Sequence, residues 1–135
     1  MKRLFSIKYS DNAVNLAAFL LRLAAGGLII PHGYSKLISF ASKSATFSDP
    51  FGIGHPTSMA LVIFAEFFCG VFLVLGLFTR LACIPLIITM LVIVFQIHHG
   101  DIFKTAEKPT LFLVSYLALL FIGPGKFSLD RLIGR

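Results

Sequence analysis

The stretch 15–38, NLAAFLLRLAAGGLIIPHGYSKLI, is long enough to cross about 30 Å of hydrocarbon as a helix rising about 1.5 Å per residue. No water reaches backbone N–H and carbonyl groups there, so a chain that crosses must satisfy them within itself, as a helix does. Three more apolar runs follow, at about 59–78, 81–98 and 109–123. Hydrophobic residues make up 57% of the chain, charged ones 13%, and the mean hydropathy is +0.91. Soluble domains average about 45–50% apolar and about 25% charged residues. The expectation is one all-α domain over residues 1–135: an integral membrane four-helix bundle, multi-pass, in contact with the lipid bilayer.

A net charge of +6 suggests nucleic acid in a soluble protein. Here Lys2, Arg3, Lys8, Arg80, Lys126, Arg131 and Arg135 lie on one side of the four expected spans, and Lys36, Lys43, Lys104 and Lys108 on the other. That seven-to-four bias reads as the positive-inside rule, with both termini cytoplasmic and no nucleic-acid partner. The first apolar run contains Arg22 and shows no clear small-residue cleavage site, so it is expected to be a retained helix. FTRLA joins spans two and three too tightly for anything but an antiparallel hairpin, with Thr79 as the expected cap and Arg80 at the headgroups. After span four, GPGKFSLDRLIGR should break the helix at Gly123, Pro124 and Gly125 and form an interfacial turn capped by Ser128. The loop ahead of span two, rich in Ser, Gly, Pro and Phe, holds His55 and is long enough to cover the outer mouth, with Thr57 or Ser58 as the next cap. Cys69 and Cys83 lack metal or redox spacing and read as buried structural thiols.

An ionisable group costs on the order of 2.5–3.5 kcal/mol in a span on insertion scales, so each one calls for a partner or a function. The spans hold Arg22, His32, Lys36, Glu66, Gln96 and His98, with His99 just beyond. With termini inside, His32, Glu66, Gln96, His98 and His99 all fall in the outer third, and Ser115 and Tyr116 come to a similar depth. His32 and Lys36 are one turn apart, near one face, and are expected to meet a shared polar pocket; Pro31 removes a backbone hydrogen bond beside them. His98 and His99 differ by about 100° around a helix, so at most one can face that pocket. Arg22, about 15 Å deeper than His32, shares a narrow face with Gly26 and Gly33 suited to close packing. It is read either as bonding backbone carbonyls or as binding an anionic group.

Three segments, LLRLAAGGLIIPHGYSKL, FAEFFCGVFLVLGLFTRLA and LLFIGPGKFSLDRLIGR, resemble in this order the DoxX family of small four-helix bacterial membrane proteins. The likeness runs from about Leu20 to Leu132 and carries over Arg22, His32, Lys36 and Glu66; the His98 and His99 positions match less closely. The resemblance implies the bacterial cytoplasmic (inner) membrane and association with oxidoreductase systems, quinone-linked oxidation and oxidative stress among them.

The leading expectation is therefore a membrane redox subunit rather than a stand-alone enzyme, with a quinone-like or small aromatic molecule in the outer pocket. His32 or Lys36 would hydrogen-bond a carbonyl oxygen, and Glu66, with His32 as second candidate, would exchange a proton. Arg22, Gln96, His98 and His99 complete the candidate ligand-binding set, and Phe64, Phe67, Phe68, Phe72 and Phe95 are candidate walls. Haem between His32 and His98 or His99 is a lesser variant. A metal on His32, Glu66 and one of His98 or His99 has admissible ligand types but no supporting motif, and none is assigned. The alternatives are a small proton-coupled transporter or sensor, built as a homo-oligomer around Glu66, and a non-catalytic anchor for partner enzymes.

Overall fold

The structure, a computed structural model, describes residues 1–134. Helix α1 spans Asp11–Ile38, α2 His55–Leu75, α3 Thr79–Ile97 and α4 Glu107–Ile122. Short turns follow α1 at Phe40–Lys43 and Ser44–Thr46, and another closes the chain at Leu129–Leu132; there is no strand among the described residues. Of the described helices, α1, α2 and α3 are long and apolar enough to cross a membrane. Helix α4 is equally apolar, but its 16 residues give about 24 Å, short of a full hydrocarbon core.

Helix α1 begins earlier than its apolar run because the Ser10 hydroxyl accepts from the Ala13 N–H. It continues through Pro31 to Ile38 without interruption. Helix α2 ends at Leu75, three residues short of the expected boundary, because Gly76 takes a left-handed conformation at φ 69°. The hairpin turn is as tight as expected, but Thr79 is not its cap. Phe78 precedes α3 with φ 49°, and the Asp130 carboxylate accepts from the N–H groups of both Phe78 and Thr79. A cap from 51 residues downstream leaves no local signature. Thr57 and Ser58 do not cap α2 either: Gly54 stands at the cap position, and the Ser58 hydroxyl donates instead to Asp49.

Helix α1 packs on α2 and α4, and α3 packs on α2 and α4. Their shared core holds Ala25, Ile29, Ala65, Leu73, Leu86, Met90 and Leu119, together with the buried free thiols of Cys69 and Cys83. Small residues set the α1–α2 spacing. A Cβ on Gly26 would lie 2.9 Å from the Gly70 carbonyl oxygen, and one on Gly33 only 2.5 Å from the Phe67 nitrogen. The narrow face expected from Arg22, Gly26 and Gly33 is thus the face that meets α2.

The start of α1, the α2–α3 turn and the C-terminal segment lie at one end of the molecule. Lys126 N–H donates to the Asn15 side chain, and the Asp130 N–H donates to the Gly76 carbonyl. The connections 39–54 and 98–106 lie at the opposite end, which we call the loop end.

Candidate functional site

Helix α2 departs from α-helical geometry over Phe64–Cys69, where it widens to π hydrogen bonding, and Glu66 lies within that segment. Helix α3 does the same over Ile93–Ile97, close to the loop end. A π turn inserts a residue into the helical frame and changes the direction of the side chains around it, and such turns gather at functional sites. Gly33 of α1 lies directly against the widened turn of α2. One turn further along α1, Lys36 donates from Nζ to Glu66 Oε2 at 2.6 Å. The Glu66 side chain is 3% exposed and that of Lys36 28%, so the acid is sealed in while the ammonium keeps one side open. This is the one ion pair among the described residues.

The open side of Lys36 borders a cavity of about 310 Å³ between α2 and α3. Leu61 and Val62 of α2 and Ile88, Val92, Ile93 and Ile97 of α3 form its walls. Phe47, Pro50, Phe51 and Ile53, from the connection before α2, form the rest. Apart from Lys36, the polar lining is Ser48, Ser58 and Thr89. The Thr89 hydroxyl is engaged by the Pro85 carbonyl and that of Ser58 by Asp49, and Lys36 is the only charged group in the lining among the described residues.

Asp49 holds this loop in shape. Its carboxylate accepts from the N–H groups of Ile53 and Gly54 and from the Ser58 hydroxyl, while His55 Nδ1 donates to the Phe47 carbonyl. The Ser58 hydrogen bond, chiefly, with those of Gly54 and Ile53 and the nearby His55, keeps the Asp49 carboxyl below its ordinary pKa, against an opposing effect of burial.

The other expected residues lie elsewhere. His32 is exposed and lines a separate groove between α1 and α4, its ring edge-on to Phe112 at 6.4 Å. Arg22 is fully buried near the termini end, where it donates to the carbonyls of Leu73 and Val74, the last turn of α2, and of Phe127. It therefore takes the carbonyl-bonding role of the two open to it. Gln96 and His99 are exposed, His99 with φ 53°, and His98 is half-buried; none of the three has a hydrogen bond to Lys36 or Glu66 among the described residues. Nor do three or more His, Cys, Asp or Glu side chains gather as a metal site among the described residues. The Tyr116 hydroxyl donates to the Ala25 carbonyl inside the core, and Ser115 to Leu111 within its own helix.

The aromatic walls are also different ones. Phe64, Phe67 and Phe68 pack among themselves and against Tyr34, whereas the cavity takes Phe47 and Phe51 from the loop. A signal for them exists in FSDPFGI: two Phe and an Ile spaced around an Asp-Pro turn are an apolar set that a solvated loop does not need.

The comparison with known families agrees with the motifs: the DoxX family model matches residues 17–99, which covers all but the first six residues of α1, together with α2, α3 and the loop that roofs the cavity. The chain belongs to the DoxX family. Both the ion pair and the cavity lining lie within the matched region of this DoxX protein. No curated protein and no solved structure matches the chain. Family membership and the apolar helices make it a small membrane protein.

Proposed function

We propose that this DoxX protein is a redox subunit of the bacterial inner membrane, built as a four-helix bundle with both termini cytoplasmic, that binds a quinone-like molecule at the Lys36–Glu66 pair. The observation that carries the reading is a single ammonium, backed by a buried carboxylate, on the edge of an otherwise apolar cavity of about 310 Å³. Such cavities suit flat aromatic molecules with one or two polar atoms, because apolar walls supply affinity and a few placed donors fix orientation. Phe47 and Phe51 offer faces to an aromatic ring, and Lys36 offers a donor to a carbonyl oxygen.

Glu66 supplies the proton chemistry. Lys36 is coupled to the Glu66 carboxylate at 2.6 Å, so a bound oxygen that draws the ammonium toward itself leaves a carboxylate free beside it. A site that takes up and releases a proton at a quinone oxygen uses that coupling. The electrons come from a partner oxidoreductase subunit. His32, in a separate groove, is left out of this site.

The test is an inventory, by mass spectrometry, of small molecules retained by the protein extracted in native nanodiscs from quinone-containing membranes. A quinone retained near one per chain in the wild type and lost in Glu66→Gln supports the reading. A wild-type protein that retains only phospholipid contradicts it.

A further inference from the structure

A second groove, of about 370 Å³, runs along α1 and α4 and has no part in the site described above. On α1 it follows one face from Leu21 through Ala24 and Leu28 to His32. These positions recur at three- and four-residue intervals, so they form a continuous furrow. His32 lies eleven positions beyond Leu21, about 16 Å, which is the depth of one leaflet of a hydrocarbon core about 30 Å thick. Across from this face, α4 contributes Leu111 and Phe112 and, in its first turn, Lys108.

The charged and titratable groups are all at one end. Ser115, the other polar residue of the lining, donates its hydroxyl to the Leu111 carbonyl, and the Tyr116 hydroxyl of the core is committed to the Ala25 carbonyl. Lys108 and His32 are both exposed at the loop end, and Phe112 holds the imidazole edge-on. Glu107, also exposed, is next to Lys108 in the chain, but it is not among the groove residues. The result is a furrow one leaflet deep, apolar along its length but for the engaged Ser115 hydroxyl, with a cation and an imidazole at its mouth.

We propose that this groove binds an anionic phospholipid, with one acyl chain along Ala24 and Leu28 and the phosphate held by Lys108 and His32. Charge complementarity selects this occupant. Basic pockets between membrane helices take anionic headgroups. A second copy of the chain, docked about a two-fold axis, would bring its own Lys108 and His32 toward the same mouth and set like charges together. The proposal is independent of the quinone reading and requires only that the helices sit in a bilayer.

The test is native mass spectrometry of the full chain in mild detergent, titrated in parallel with phosphatidylglycerol and phosphatidylcholine. The expected result is one tightly held phosphatidylglycerol per chain, preferred about fivefold over phosphatidylcholine, since each basic residue near a headgroup contributes about that factor. Lys108→Gln should reduce the preference to near parity, and His32→Gln should weaken it. Lys43→Gln, a lysine at the same end but outside the groove, should leave it intact. Ala24→Phe fills the furrow and should lower retention of both lipids; because Lys108 is exposed, the charge test stands even if that variant fails to fold. Equal retention of the two lipids by the wild type overturns the proposal. So does an undiminished preference in Lys108→Gln, or a lipid-free dimer as the main species.

Discussion

Lys36 and Glu66 were both conspicuous in the sequence as ionisable groups in apolar surroundings, and they meet at 2.6 Å. A buried carboxylate left without its counter-charge is expensive, whereas removing the pair together is far less so. Lys36→Met is therefore expected to destabilise the protein by about 3 kcal/mol, and adding Glu66→Gln should recover most of that loss. Thermal unfolding of the two variants in one detergent checks this, and equal melting temperatures for both would show that the pair carries no such coupling. Asp49 gives a second expectation. Its pKa is lowered in the folded state, so its contribution is complete above the ordinary carboxylate value of about 3.9 and is lost as pH falls through the lowered one. Protection of the Ile53 and Gly54 amides from exchange should thus hold between about pH 5 and pH 8 and weaken only in stronger acid. Loss of that protection between pH 7 and pH 5 would assign the loop's order to another group. At this scale the sequence singled out both residues but could not choose the partner of Glu66. His32 and Lys36, 4 residues apart, share nearly one face, and only the approach of α2 at Gly33 separates a residue that reaches Glu66 from one that faces α4.

Among the helices, the decisive contact is the one between α1 and the widened turn of α2. Gly27 and Gly33 are both mid-helix, yet they differ in what a methyl group would meet: nothing within 4 Å at Gly27, and backbone of Glu66 and Phe67 at Gly33. Gly27→Ala is expected to be neutral or to stabilise by up to about 1 kcal/mol through helix propensity. Gly33→Ala has to push α1 off α2, lowering the melting temperature and lengthening the Lys36–Glu66 contact. Unfolding of the two variants side by side measures the difference, and similar stability for both would contradict the close approach. Helix positions were legible because apolar length and helical need coincide in these runs. The π turns were not: FAEFFC and IVFQI are ordinary apolar helix sequences, and their extra residue is accommodated by packing. The cap of α3 was misplaced for a related reason, since Asp130 acts from outside the local window in which a capping residue is sought, and α2 starts behind Gly54 with no side-chain cap.

For the molecule as a whole, the two ends have separate tasks. At the termini end, Arg22 gathers the last turn of α2 and the C-terminal segment, and Asp130 and Arg80 close the α2–α3 turn and the end of α4. A cation against the carbonyl end of a helix is favourable electrostatically, which gives the buried guanidinium a structural occupation. The loop end holds a buried acid, a half-open ammonium and an apolar cavity roofed by a loop tied to Asp49, and it is where we place the proposed chemistry. The side-chain layer at the loop end was legible as a layer, because depth follows from counting residues along each span. Which members of it would converge was not, because rotation of each helix is set by tertiary packing that no single segment encodes. A quinone site at Lys36 and Glu66 is tested by titrating purified protein in nanodiscs with a short-chain quinone. The wild type should bind one equivalent saturably, while Lys36→Met and Glu66→Gln should each weaken binding about tenfold or more, the worth of one charge-assisted hydrogen bond. Unchanged affinity in both variants would contradict the account.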